Sequence, residues 1–510
     1  MLQHKELKLV NILLFIMLAI FPLFSVNHYF NLTLAKYWFY SVVALAIFFM
    51  GVYGSICKSI DKNHKIVKPD IKLWFSKMSK LDSFVFLYVI SAVVSFLLSD
   101  WKLPSFTGSC GSYTGLLFIF ITAGMYYAIT RHAKLTNWIK YCFPVLLIIT
   151  GLMAMLQVCG FNVLHFSDGI ADSQRQIFIS TLGNINVFGM FVCIYMPICI
   201  YMFCKFHEKC SVLYGVGTFF GFIGLLASNS DGCYLGIGAC MTVMLILVLS
   251  DIKALFKYGI SVALWAASLL LWNFVKVLFK EKMWNQNATN TFFMSFHVIL
   301  TISIAAIVII AFSLFLQKQS KIPPKILKKF VIAAAGVLLI STVLLCIWAT
   351  WIEPTKELSG FFQYFRLDYS WGSNRGYAWH WAILMFINGS LKIKLFGAGP
   401  DTAYLMYISN YKNEMDANLP YYFKSPHNEY LNYLVTVGLV GLFAYMAIVI
   451  TAVKKSFLRI KEDEFFGAIA LGILIYSIAS FVNISQIITM PYIFILISLA
   501  GIKPAKRNNK

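Results

Sequence analysis

The sequence predicts an all-α integral membrane protein of about 14 transmembrane helices, with one long extracytoplasmic loop that carries short interfacial helices. Three observations carry this expectation. The chain is 60% hydrophobic and only 12% charged, with a mean hydropathy of +0.75, whereas about a quarter of the residues in a soluble domain are charged. Apolar runs of bilayer length, about 17–25 residues as helix, recur along its whole length. Of its 42 Lys and Arg, 29 fall in segments that share one side once the N-terminus is placed in the cytoplasm.

The runs lie near 9–27, 37–57, 83–99, 114–130, 138–158, 187–204, 211–227, 232–250, 257–278, 295–316, 330–351, 430–453, 465–482 and 486–502. They divide the chain into N-terminal helices (1–180), central helices (181–351), the long loop (352–427) and C-terminal helices (428–510), with both termini inside. No small-residue cleavage site closes the first run, which reads as a retained span. The net charge of +21 is then mostly a topology signal and an attraction to anionic membrane lipids. It is not a nucleic-acid surface, because Lys77, Lys80, Lys318, Lys328 and Lys329 border spans instead of forming one basic face with aromatics between. The 11 Cys are scattered, and no Cys/His group has metal-ligand spacing, so neither a disulfide framework nor a metal or other cofactor is expected.

In chain order, residues 58–82 form a Lys-rich inside loop, and its Ser59-x-x-Lys62 pattern is a chance match on the cytoplasmic side. Gly108-Ser109-Cys110-Gly111-Ser112-Tyr113-Thr114-Gly115 clusters small residues at a helix entrance, where another helix or a ligand phosphate could approach the backbone. In Gly183-Asn184-Ile185-Asn186, Asn184 or Asn186 can cap the next span and leave amide donors at its N-terminus. Asp231, in Ser228-Asn229-Ser230-Asp231-Gly232, reads either as a helix cap or as a functional acid at a span end. His297 reads as an interhelical hydrogen-bonding group, and Pro323-Pro324 with five Lys between 317 and 329 reads as an inside linker.

The loop 352–427 lacks the pattern of a soluble core. Its run 377–388 is too short to cross and reads as interfacial or re-entrant. Arg375 lies one turn from Trp379, so both share a helix face at the lipid–water boundary. Phe396-Gly397-Ala398-Gly399-Pro400-Asp401-Thr402 is a glycine turn without nucleotide-loop spacing. Ser425-Pro426-His427-Asn428-Glu429 then delivers a histidine to the mouth of the next span. A planar guanidinium suits a diphosphate, and an imidazole titrating near neutrality can take a proton from an attacking hydroxyl. The four Asn-x-Ser/Thr matches, at Asn31, Asn287, Asn388 and Asn483, all fall on the outside and are read as chance.

Taken together, Gly183-Asn184-Ile185-Asn186, Arg375-x-x-x-Trp379, Phe396-Gly397-Ala398-Gly399-Pro400 and His427-Asn428-Glu429-Tyr430-Leu431 with Gly438 and Gly441 resemble the O-antigen ligase and polymerase superfamily. The resemblance covers about 181–445. It implies a metal-independent glycosyltransferase of the bacterial inner membrane, acting on the outer face. The donor would be an undecaprenyl-diphosphate-linked glycan and the acceptor a hydroxyl of a glycan or glycolipid. Arg375 would contact the diphosphate and His427 would help activate the acceptor. Asn184, Asn186, Trp379, Asn428 and Glu429 become substrate-binding candidates. Two departures stand out: Asp231 occupies a place where many relatives have Arg, and Gly108–Gly115 lacks an Arg often found there. Diphosphate binding would then rest on Arg375 with Arg366, and Asp231 would accept a hydrogen bond from a sugar or act as a second base. The alternative is a lipid-linked oligosaccharide flippase, but transporters usually show repeated halves or charges near the bilayer midplane. A non-catalytic assembly protein would need neither Arg375 nor His427.

Overall fold

The computed structural model describes residues 2–59, 76, 78–206, 209–319, 325–358, 360–484 and 486–502. Most of the expected 58–82 loop, including the Ser59-x-x-Lys62 pattern beyond Ser59, lies outside them, as do Pro323-Pro324 and the basic segment 503–510. The helices in chain order are α1 (Leu2–Ala19), α2 (Leu32–Ser59), α3 (Lys80–Leu98), α4 (Lys102–Thr107), α5 (Leu116–His132), α6 (Asn137–Val158) and α7 (Ile185–Lys205). There follow α8 (Ser211–Ser228), α9 (Asp231–Val248), α10 (Ile252–Leu278), α11 (Ala288–Phe293), α12 (Phe296–Lys318) and α13 (Lys325–Ile347). The last are α14 (Trp371–Ile387), α15 (Leu391–Phe396), α16 (Ala403–Asn418), α17 (Glu429–Thr436), α18 (Gly438–Leu458), α19 (Phe465–Ala479) and α20 (Met490–Gly501). The described strands, β1 (Phe178–Ile179) and β2 (Gly183–Asn184), pair antiparallel with Phe178 opposite Asn184.

Among the described residues, 11 helices are long and apolar enough to cross a membrane. Three of the expected 14 spans correspond to shorter helices: α1 and α20, whose apolar parts are Lys8–Ala19 and Met490–Gly501, and the 17-residue α5. The expected 430–453 span is two helices. Val437 leaves helical geometry, and Gly438, at φ +71, begins α18.

The chain forms two compact units. The first comprises Met1–Cys142 and Trp381–Lys510, and the second Phe143–His380. In the first, α2 packs on α5, α5 on α20, α20 on α19, α19 on α18, and α18 on α3. Small residues set the close crossings, as expected where apolar burial gives no preference for protein over lipid. A Cβ at Gly51 would lie 2.5 Å from that of Ala128. Basic residues secure helix ends. Lys36 Nζ, fully enclosed, donates to the Phe21 and Pro22 carbonyls at 2.8 and 3.1 Å. Arg131 pairs with Asp82 at 3.1 Å, Lys140 with Asp463 at 2.6 Å, and Arg459 donates to the Ile502 carbonyl at 2.6 Å.

In the second unit α7 is the central post. Its apolar window is 100% buried, with α8, α9 and α10 packed on it. Gly189 lets Cys233 of α9 approach so closely that a Cβ would meet the sulfur at 2.3 Å. By contrast, α13 continues through a π-helical turn, Trp348–Ile352, and buries none of its apolar window. His297 is exposed at the start of α12, so the expected interhelical role is not what its position provides.

Gly397 and Gly438 form a backbone-to-backbone crossing in the first unit. A Cβ on Gly397 (φ +72) would stand 2.3 Å from the Thr436 carbonyl, and one on Gly438 (φ +71) 2.3 Å from that of Leu395. Gly397→Ala and Gly438→Ala should each lower stability by about 2–4 kcal/mol, from overpacking plus left-handed strain. Thermal unfolding of the purified protein in detergent measures this, and a shift within error of wild type would contradict it.

Candidate functional site

In the second unit, the Asn-rich turn before α9 and the segment 352–375 supply a polar cluster. Asn184 is the N-cap of α7, its side chain accepting from Asn186 N at 2.9 Å. Asn186 Oδ1 in turn accepts from Ser230 Oγ at 2.7 Å, which ties the start of α7 to the start of α9. Asp231 is the first residue of α9 and not its cap; Ser230 holds that position. Each Asp231 oxygen accepts a hydrogen bond, Oδ1 from Asn287 Nδ2 at 2.6 Å and Oδ2 from the Tyr364 hydroxyl at 2.7 Å. Burial, followed by the neighbouring carboxylate, pushes the Tyr364 hydroxyl up to about 12, so Tyr364 donates at any physiological pH. Asn287 also holds Asn229 through its backbone N at 2.9 Å and its side chain at 3.0 Å, and caps α11 by accepting from Asn290 N at 2.8 Å.

Arg375 follows three residues in left-handed conformation, Gly372, Ser373 and Asn374. Such backbone is costly for Ser and Asn and collects at functional sites. The helix after it is held close: a Cβ on Gly376 would lie 1.9 Å from the Asp368 carbonyl oxygen. Hydrogen bonds join Asn186, Ser230 and the start of α9, and Tyr364, bonded to Asp231, accepts from Trp371 at the head of the helix that carries Arg375. Trp379, one turn beyond Arg375, packs against Trp371 with centroids 4.9 Å apart. Arg366 is differently employed. Its Nε donates to the Ala349 carbonyl at 3.2 Å and its Nη2 to that of Lys356, so it fastens the end of the π-helical turn.

The first unit holds the histidine. His427 is left-handed (φ +51), half-buried, and set edge-on to Phe423 with centroids 6.0 Å apart. Asn428 caps α17, accepting from Tyr430 N and Leu431 N at 3.0 and 3.1 Å. Glu429 is enclosed and accepts from the hydroxyls of Tyr445 at 2.6 Å and Tyr476 at 3.0 Å. Asn428 and Glu429 thus fix the helix start that presents His427.

Behind that helix lies a contact with no sequence expectation. Asp401 (φ +59) fills the small-residue stretch 108–115, accepting from Ser109 N at 2.9 Å, Thr114 N at 3.1 Å and Ser112 Oγ at 2.5 Å. The anion in that glycine-rich turn is therefore the protein's own carboxylate. Part of the residue reaches solvent, but the carboxyl itself is enclosed by donors. Burial pushes it up to about 6, with the hydrogen bonds from Ser112, Ser109 and Thr114 opposing. The same loop is bolted to the break after α17 by Ala398 N to the Val435 carbonyl at 3.0 Å and Gly399 N to that of Thr436 at 2.9 Å.

Residues 289–446 match the family model described as O-Antigen ligase. The match covers under a third of the chain and supports its membership in the O-antigen ligase-like superfamily, with a membrane glycosyltransferase-like role in polysaccharide biosynthesis. No curated protein matches the chain. Arg366, Arg375, Trp379, His427, Asn428 and Glu429 lie within the O-antigen ligase segment, while Asn184, Asn186 and Asp231 precede it. Sequence reasoning missed Tyr364, Asn287 and Asp401. Asn287 was in view only as a glycosylation match, and Tyr364 carried no motif.

The raised Asp401 carboxyl has a pH signature. A group protonated more readily in the folded state contributes stability that is full below its unfolded value near 3.8 and lost as pH rises through about 6. Unfolding of wild type between pH 4 and pH 7 should carry this slope, and Asp401→Asn should flatten it. Identical slopes in the two proteins would refute the assignment.

Proposed function

We propose that this protein transfers a glycan from an undecaprenyl-diphosphate-linked donor to a hydroxyl acceptor on the outer face of the bacterial inner membrane, as a polysaccharide polymerase or ligase. The observation that carries the proposal is that the O-antigen ligase segment contains both Arg375 and His427, each on backbone held in a costly left-handed context. In the reaction the acceptor oxygen attacks the anomeric carbon of the donor sugar. The bond from that carbon to the diphosphate oxygen breaks, and the hydroxyl proton passes to His427. Arg375 stabilises the charge that gathers on the departing diphosphate. The diphosphate is already a competent leaving group, so the chemistry asks for a base and for charge stabilisation. In this reading Arg366, Trp379, Asn184, Asn186, Asn428 and Glu429 bind substrate, and Asp231 accepts a hydrogen bond from a sugar or acts as a second base.

Cell-surface polysaccharide in a deletion strain, complemented with wild type, His427→Ala or Arg375→Ala at equal membrane levels, tests the reading on a length ladder. Only wild type should restore long chains, with at least a ~100-fold loss in each variant. Accumulated single repeats would mark a polymerase, and free lipid-linked polymer a ligase. Full restoration by both variants would overturn the catalytic reading and move a transporter ahead.

A further inference from the structure

The second unit holds a side-chain clamp that joins the start of α9 to two distant segments of the chain. Asp231 sits between two donors from distant parts of the chain, Asn287 at 2.6 Å and Tyr364 at 2.7 Å. Asp231 is half-buried, and neutral donors bond both its oxygens. Tyr364 passes the constraint on. Its carbonyl accepts from Trp371 Nε1 at 2.8 Å, and the Trp371 ring packs on Trp379 of the same helix. Arg375 lies between those two tryptophans in the sequence, directly after the left-handed residues 372–374, and its side-chain carbons lie against Gly372. The far side of the clamp is equally fixed, since Asn287 also holds Asn229 in the turn that leads into α9.

We infer that Tyr364 and Asn287 are positioning residues that, by gripping Asp231 between them, hold the Arg375 guanidinium in the orientation that binds a lipid-linked diphosphate. Asp231 is thereby the anchor of the segment that carries the cation, which accounts for an acid standing beside a site for an anion. Hydrogen bonds from Asn287 and Tyr364, one to each oxygen, offset part of the repulsion between Asp231 and the diphosphate. The inference rests on the donor-binding role proposed for Arg375.

The test is binding of undecaprenyl diphosphate, in detergent micelles, to the purified full-length protein. Wild type is compared with Tyr364→Phe, Asn287→Ala, Arg375→Ala and the double variant Tyr364→Phe/Arg375→Ala, with thermal unfolding recorded for each. Tyr364→Phe and Asn287→Ala should each weaken binding about tenfold, equivalent to ~1.4 kcal/mol, and the double variant should bind no more weakly than Arg375→Ala alone. That non-additivity is the mark of action through Arg375; a merely structural role would give additive losses that track the unfolding temperature. Wild-type binding by Tyr364→Phe and Asn287→Ala, with binding lost in Arg375→Ala, would overturn the inference and leave the proposed function standing. Wild-type binding by Arg375→Ala would remove the proposed function itself. Should Tyr364→Phe fail to fold, additivity is read from Asn287→Ala combined with Arg375→Ala: a non-additive loss supports the inference and an additive one overturns it.

Discussion

A backbone that leaves helical geometry at or near a bilayer must have its amides and carbonyls satisfied by the protein, because hydrocarbon offers them nothing. The irregular parts of this molecule follow from that constraint. Asp401 takes up two amides of the 108–115 turn, Asn428 takes up two at the start of α17, and Asn287 serves the turn at 229. Cations do the reverse for carbonyls: Lys36 holds those of Phe21 and Pro22, Arg366 holds that of Ala349 and Arg459 that of Ile502.

The first unit makes its irregular region rigid by closing three segments on one another. The loop 397–402 lies against the break after α17 through paired backbone hydrogen bonds, with Gly397 and Gly438 permitting the approach, and Asp401 then reaches across to the turn at 108–115. The helix that begins after His427 is thus supported from behind by residues far away in the chain. The second unit uses the opposite tactic, a polar cluster of Asn and Tyr side chains around one acid, and it hangs the Arg375 segment from that cluster.

Much of this was legible in the sequence, and the limits have physical causes. Hydropathy locates the helices well because it measures transfer from water, but it ran across Val437–Gly438 as one span, since a single left-handed glycine does not interrupt an apolar run. The glycine-rich turn at 108–115 reads in sequence as a place where another helix or a ligand phosphate approaches the backbone; what approaches is the carboxylate of Asp401, almost 300 residues later, a tertiary fact with no local signal. Asp231 offered the same difficulty. A cap and a functional acid look alike in sequence; Ser230 holds the cap position, and the partners of Asp231, Asn287 and Tyr364, come from separate segments. Asn287 enters the sequence reading only as a chance modification match; in the structure its side-chain amide makes three hydrogen bonds, to Asn229, Asp231 and Asn290. Arg375 and His427 were visible because each stands beside glycine, proline or asparagine residues that announce unusual backbone.

Two helices, α7 and α13, have similar apolarity, 2.2 and 2.8 on the same scale, yet the apolar window of one is wholly buried and that of the other has no buried residue. Acyl chains are fluid and refill around any new contour, while packed side chains are not. Over generations, exchanges among Leu, Ile, Val and Phe can therefore accumulate along α13 almost without selection, whereas along α7 each must be matched by a change in a neighbour. Two relatives of this protein could differ at most positions of one helix and be nearly the same in the other, with an unchanged hydropathy profile in both.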